Sequence, residues 1–177
     1  MSLIKRVAQL HLQAKSYDRI VYSPSPITSF RDVKQESRGR EYAKPKGLWY
    51  ACGKDWKRFV QSEMPTWADE YTHKYLLDVN LSRMCVIRTE EEMEAFHIKY
   101  SYRASPSAVV PNAIDWAEVA RDYDGIEICP YQWEFRMSYS WYYPWDVASG
   151  CIWRRGAFKG VTEVDNDILD SEFKRNW

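Results

Sequence analysis

The chain of 177 residues has the length of a single folded domain, and its 45% apolar residues are enough to bury a hydrophobic core. Its 25 basic and 25 acidic residues cancel, which argues against a protein that bulk positive charge holds on nucleic acid. No apolar leader follows Met1 and no apolar run approaches the ~20 residues of a membrane span, so the sequence predicts a cytoplasmic protein with no membrane partner.

The first half of the chain predicts a helix, two strands and a second helix. Helical spacing of apolar residues predicts a helix over 3–15, and a short apolar run predicts a strand from Arg19 to Tyr22. Residues 31–46 carry six basic and three acidic residues and predict a solvated, mobile loop. The stretch Gly47 to Ala51 is strand-like, and a helix follows it around Asp55–Glu63.

The second half predicts strands and helices in mixed order. The predicted elements are strands over 74–79 and 83–88, a helix opened by a capping box at Thr89 and Glu92, a helix capped by Asn112 and reaching Tyr123, and strands over 126–129 and 149–153. The aromatic stretch 131–145 has no clean period. Because strands often follow one another directly, the order favours an α+β fold, with residues 1–177 forming one domain.

The cysteines and histidines indicate neither a disulfide framework nor a metal centre. The four cysteines (Cys52, Cys85, Cys129 and Cys151) are widely spaced and lie in apolar stretches, so we expect reduced, buried thiols. The three histidines lie far apart and no Cys/His set has the spacing of zinc ligands, so we predict no metal.

Nine Trp and 13 Tyr residues are more than packing requires, and we expect some to line a cleft that stacks a flat ligand. Three segments bear on this cleft: Ile20 to Ser25, Lys46 to Ala51, and Trp145 to Gly150. Their order resembles that of the ADP-ribosyltransferase superfamily, in which a polar strand end, a Gly-aromatic strand with its helix, and a late acid form the site. The run Gly47 to Ala51 is similar to the one in the poly-ADP-ribose-polymerase-like branch, and 75–96 and 122–126 resemble the small bacterial and phage members.

The resemblance implies split antiparallel or mixed sheets with flanking helices, and NAD⁺ as substrate. It implies that Trp49 or Tyr50 stacks the nicotinamide, that backbone groups at Gly47 bind its amide, and that Tyr22 and Ser23 bind ribose hydroxyls. Tyr22 or Ser23 stands where better-known branches carry His or Arg. Ser149 stands near the strand start, where a Glu is common in the family.

The resemblance also implies a catalytic acid, and two carboxylates compete for that role. Asp146, just before the late strand, would bind a ribose hydroxyl and stabilise the positive charge that develops on the ribose. Glu127 is the rival, because it alternates with Ile126 and Ile128 and gives that strand a polar face. We favour Asp146. Its alternative role is to cap the local turn.

The acceptor of the ADP-ribose stays open at this point. RNA, DNA and protein are all compatible with the sequence, and toxins or phage and host-defence factors of the superfamily use such acceptors. For a toxin-like member, an antitoxin protein is a further partner that the sequence leaves open. The alternative function is a non-catalytic binding module, in which the aromatic residues of 131–145 contact a protein or nucleic acid.

Overall fold

A computed structural model describes residues 17–170, and the helix predicted over 3–15 lies outside them. Seven strands of the described residues form one mixed sheet: β1 (Arg19–Ser23), β2 (Leu48–Cys52), β3 (His73–Val79), β4 (Met84–Ile87), β7 (Gly125–Ile128), β8 (Ser149–Ile152) and β9 (Phe158–Val164). Their order across the sheet is β4-β7-β8-β2-β1-β3-β9. A small second sheet pairs β5 (Ser101–Tyr102) with β6 (Ala113–Ile114). Neighbours are antiparallel except β4 and β7, which run parallel.

Within residues 17–170, three α-helices accompany the sheet: α1 (Asp55–Glu63), α2 (Glu90–Tyr100) and α3 (Trp116–Asp122). The predicted capping box opens α2, since Thr89 Oγ1 accepts from the Glu92 amide and the Glu92 carboxylate accepts from the Thr89 amide, both over 3.2 Å. Helices and a mixed sheet together confirm the α+β class.

The prediction that Asn112 caps α3 is wrong. Asp115 is the cap, and its Oδ1 accepts from the Glu118 amide over 3.1 Å. Asn112 instead accepts a hydrogen bond from the Ala104 amide over 2.9 Å. The reason is that Ala113 and Ile114 pair with β5, so the chain is still extended there and the helix starts later.

Strand β9 was not predicted. Among the described strands it pairs only with β3, at the edge of the sheet, and none of its residues is buried. A strand that buries so little leaves a weak hydrophobic pattern in the sequence, and Gly160 weakens the pattern further.

The predicted loop 31–46 contains no helix or strand. It is nevertheless attached to the domain, because the Val33 amide donates to the Trp153 carbonyl over 2.8 Å. Gln35 is 5% exposed and bridges the loop, accepting from the Lys46 amide over 2.9 Å and donating to the Lys46 carbonyl over 2.7 Å. The mobility of the rest of this loop stays a prediction.

The sheet is covered on both faces by apolar residues. One core contains Ile126, Cys151 and the fully buried Trp141 and Trp145. A second core lies on the opposite face and contains Val21, Tyr50, Leu77 and Ile152, and a small third cluster contains Val60, Ala68 and Ile168. Within residues 17–170, no helix has the length and apolar character that crossing a membrane requires.

Candidate functional site

One cavity opens where β1, β2 and β8 lie side by side, and its volume is about 220 Å³. Its walls are Ile20, Tyr22, Lys44, Trp49, Tyr50, Ala51, Trp56, Asp146, Val147 and Ser149. The register pairs Ile20 with Ala51 and Ala51 with Ser149, which puts one row of side chains on the cavity side of three strands. Of the predicted site residues, the structure brings Tyr22, Trp49, Tyr50, Asp146 and Ser149 to this cavity.

Trp49 forms an aromatic wall of the cavity. Its ring meets that of Trp145 edge to face, with centroids 4.9 Å apart and an interplanar angle of 71°. Its Nε1 donates to the Pro45 carbonyl over 3.2 Å. The Lys44 ammonium lies 4.2 Å from the ring centroid, a cation–π contact. These contacts fix the ring in one orientation, so it is preorganised for a ligand.

Tyr50 contributes to the wall, but its ring lies on the other face of the sheet. The residue is 3% exposed, and its hydroxyl donates to Glu127 Oε2 over 2.7 Å. Of the two adjacent aromatic residues, Tyr50 therefore belongs to the core and Trp49 is the one that can stack a ligand.

Asp146 lies beside the cavity in the loop before β8. Its side chain is 34% exposed, and Arg136 Nη2 lies 3.7 Å from Oδ1. Desolvation lowers the pKa of Lys44, and the negative charge of Asp146 partly offsets this effect. Asp146 is thus a half-exposed carboxylate near two cations, with room to accept a hydrogen bond from a ligand hydroxyl.

The predicted small residues have different environments. Ser149 lines the cavity, and its Oγ donates to the Val147 carbonyl over 2.9 Å. Ser23 lies outside the cavity wall, and its Oγ donates to the Ser25 carbonyl over 2.6 Å. Gly47 is also outside the wall and has a φ of 153°. A Cβ there would come within 2.1 Å of the Ile152 carbonyl oxygen, so close packing against β8 explains this glycine.

Glu127 lies on the opposite face of the sheet from the cavity and is 1% exposed. Arg19 donates to both of its oxygens, from Nε over 2.6 Å and from Nη2 over 3.0 Å. Burial, and then the neighbouring charge of Glu127, raise the pKa of Tyr50, so its hydroxyl keeps the proton that it donates. The rival acid is therefore part of a buried Arg19–Glu127–Tyr50 cluster, and the structure does not bring it to the cavity.

The prediction of four reduced cysteines is wrong for two of them. Cys52 at the end of β2 and Cys129 just after β7 form a disulfide, whereas Cys85 and Cys151 are free and buried. The two bonded residues lie 77 positions apart, and only the order β7-β8-β2 brings them close. Glu127 lies within 4.8 Å of both sulfurs. Because those sulfurs bond each other and the carboxylate pairs with Arg19, this group is not a ready set of metal ligands.

A groove continues from the cavity past Asp146 and Val147, with a volume of about 740 Å³. Its other walls are Asp55, Arg58, Phe59, Ser62, Glu63, Met64, Tyr131, Trp133 and Arg136.

The sequence singled out the aromatic segment 131–145 but did not show which of its residues are buried. Trp141, Tyr142 and Trp145 are fully buried, whereas Trp133 is 69% exposed. Sequence reasoning also missed Lys44 and Trp56 of the cavity, which lie in segments with no distinctive motif.

The known proteins give no independent indication of what this site does. Comparison with protein-family models, with curated proteins and with solved structures found no match. The function of the site must therefore be argued from the geometry of the site itself.

Proposed function

We propose that the protein is an ADP-ribosyltransferase of the superfamily that its motifs resemble, and that it transfers ADP-ribose from NAD⁺ to a macromolecular acceptor. The observation that carries the proposal is the meeting of Tyr22, Trp49, Asp146 and Ser149 in one cavity. These residues come from three separate parts of the chain, and the resemblance assigns all of them to NAD⁺. Aromatic walls with a few convergent polar groups are typical of small-molecule sites.

The Trp49 ring suits the nicotinamide end of NAD⁺. It already attracts a cation, the Lys44 ammonium at 4.2 Å, and the pyridinium of NAD⁺ is a flat cation that can take that place. A cavity of about 220 Å³ is smaller than the sites of roughly 300–1,000 Å³ that enclose whole drug-sized ligands. It therefore suits nicotinamide and its ribose, and the rest of the dinucleotide lies outside it.

The chemistry assigned to the cavity is cleavage of the bond between the ribose C1′ and the nicotinamide nitrogen. Nicotinamide leaves as a neutral molecule with the electron pair of that bond, and positive charge develops on the ribose. Asp146 accepts a hydrogen bond from a ribose hydroxyl and stabilises that charge. A nucleophile of the acceptor then bonds to C1′ and loses a proton, giving the ADP-ribosylated acceptor, nicotinamide and H⁺.

The proposal keeps the cytoplasmic location that the sequence predicts. The Cys52–Cys129 disulfide argues in the other direction, because structural disulfides are rare in that compartment. Counting alkylated cysteines after rapid lysis of cells in denaturant that contains an alkylating reagent tests the location: four alkylated cysteines fit a reducing cytoplasm, and two fit an oxidising compartment.

A second function, that of a non-catalytic binding module, is favoured by one surface. Trp133, Met137 and Tyr143 are 69%, 81% and 48% exposed, and the Arg136 guanidinium lies 5.4 Å from the Tyr143 ring centroid. Aromatic residues, Met and Arg are the residues enriched at protein interfaces. In an enzyme, the same surface would hold the acceptor next to Asp146.

The test is incubation of the purified protein with a cell lysate and NAD⁺ labelled in its adenylate phosphate, followed by separate recovery of protein, RNA and DNA. We expect label in one fraction, which names the acceptor class. The label should be lost with Asp146→Asn and kept with Asp78→Asn, which changes an exposed aspartate of β3. Absence of label and of nicotinamide release, together with a partner that binds without NAD⁺, would favour the binding module.

A further inference from the structure

A cluster of positively charged side chains adjoins the cavity at Tyr22. Lys57 Nζ lies 3.2 Å from Asp167 Oδ2, and Lys74 Nζ lies 2.8 Å from Asp167 Oδ1. The Tyr22 hydroxyl donates to the same Oδ1 over 2.9 Å. Lys57 is 4% exposed and the Lys74 side chain is 13% exposed. A single carboxylate thus accepts from two largely buried ammonium groups and a phenol.

The donors of this cluster belong to regular elements, whereas their acceptor does not. Tyr22 and Lys74 face each other across β1 and β3, and Lys57 follows the cavity residue Trp56 in α1. Asp167 lies in the segment 165–170 after β9, which contains turns but no helix or strand. The donors therefore have a fixed geometry. The backbone beside Asp167 is also held, because Ile168 is 1% exposed and its carbonyl accepts from Gln61 Nε2 over 2.9 Å. The carboxylate therefore leaves the site by rotation of its own side chain, which breaks neither a helix nor the sheet.

The donors favour an anionic partner. Partial burial would raise the pKa of Asp167, but the hydrogen bonds from Lys74, Tyr22 and Lys57 lower it to about 2. Phosphate oxygens accept the same charge-assisted hydrogen bonds as a carboxylate. A phosphate group is thus chemically equivalent to Asp167 at this position.

We propose that Lys57, Lys74 and Tyr22 form an anion site for the phosphates of the ligand in the cavity, and that Asp167 occupies this site as an intramolecular competitor. Tyr22 belongs to both the cavity and the cluster, so a ligand lying against Trp49 has the cluster beside it. The apparent affinity for such a ligand is the intrinsic affinity multiplied by the fraction of molecules in which Asp167 has left the site. The contact of Asp167 with the cluster therefore weakens ligand binding. The identification of the ligand as NAD⁺ rests on the proposed function.

The test compares Asp167→Asn with the wild type by calorimetric titration of three probes: NAD⁺, inorganic pyrophosphate and nicotinamide riboside, which lacks phosphate. Loss of the competing charge should tighten binding of NAD⁺ and pyrophosphate about tenfold and leave nicotinamide riboside unchanged. Adding Lys74→Gln to Asp167→Asn should reverse the gain. Asp167→Ser repeats the change should the first variant not fold.

Glu163→Gln is the matched control, because it removes another carboxylate that pairs with a β3 side chain, His73 Nδ1 at 2.7 Å. It should leave all three affinities unchanged. Unchanged pyrophosphate and NAD⁺ binding in Asp167→Asn, or an equal gain in Glu163→Gln, would overturn the inference. Failure of the proposed function gives a different result. Pyrophosphate binding would still tighten in Asp167→Asn and would still depend on Lys74. NAD⁺, however, would bind no better than pyrophosphate, and nicotinamide riboside would not bind.

Discussion

Tyr50 lies directly over the backbone of Gly150, and the missing side chain of this glycine lets Tyr50 reach across β8 to Glu127. The register places Glu127, Gly150 and Tyr50 in one row on β7, β8 and β2. A Cβ at position 150 would come within 2.3 Å of Tyr50 Cζ and 2.4 Å of its hydroxyl oxygen. A glycine inside a strand often marks such a close approach.

Gly150→Ala should therefore destabilise the protein by about 3 kcal/mol, since the methyl group either displaces Tyr50 or strains the sheet. The measurement is the urea unfolding midpoint. Gly160→Ala is the control, because no atom of residues 17–170 lies within 4 Å of a Cβ added there. Its free energy of unfolding should change by less than about 0.5 kcal/mol. Equal stability of the two variants would show that Tyr50 does not occupy this position.

Glu127→Gln tests whether this residue is structural. It removes the charge that pairs with Arg19 inside the protein, and we expect a loss of about 3 kcal/mol of unfolding free energy. Under conditions where the variant is folded, its affinity for NAD⁺ should match the wild type, because Glu127 is not on the cavity side of the sheet. A variant of unchanged stability that has lost NAD⁺ turnover would contradict this assignment and would support Glu127 as the catalytic acid.

The disulfide should contribute substantially to stability. Closing a loop of 77 residues restricts the unfolded chain, and the double variant Cys52→Ser/Cys129→Ser should lose about 4 kcal/mol in denaturant titration. In denatured but unreduced protein, alkylation should modify only Cys85 and Cys151. Modification of all four residues in protein purified under air would contradict the pairing.

His97 should make stability depend on pH near neutrality. Its Nδ1 accepts from Trp141 Nε1 over 3.0 Å, which requires a neutral ring, and burial lowers the pKa of His97 below its usual 6.5. The unfolded chain therefore binds the proton more readily than the folded one. Stability is full above about pH 6.5 and declines as the pH falls through the lower folded pKa. Urea midpoints between pH 7.5 and 5 should show this decline in the wild type and a smaller one in His97→Gln.

Local sequence patterns predicted a helix or strand correctly where its ends depend on its own residues. The helix at Asp55–Glu63 was placed correctly, and the capping box at Thr89 and Glu92 is present. Errors arose where another segment decides the outcome. Pairing with β5 keeps the chain extended beyond Asn112, and β9 is held by β3 rather than by burial of its own side chains.

The candidate site shows the same division. The resemblance left open whether Trp49 or Tyr50 stacks the ligand, and choosing between them required the hydrogen bond from Tyr50 to Glu127, which lies in the same row two strands away. The disulfide and the contact of Lys74 with Asp167 join residues far apart in the sequence. No spacing rule reveals such pairs, because the strand order creates them.

The central claim is that Asp146 stabilises the ribose as nicotinamide leaves, and the direct test is the rate of nicotinamide release from NAD⁺ by the wild type, Asp146→Asn and Asp78→Asn. We expect release by the wild type and by Asp78→Asn. We expect a rate about 10²-fold lower for Asp146→Asn, with NAD⁺ affinity within about threefold and an unchanged unfolding midpoint. Release by Asp146→Asn at the wild-type rate, or no release by a wild-type protein that is folded, would contradict the account.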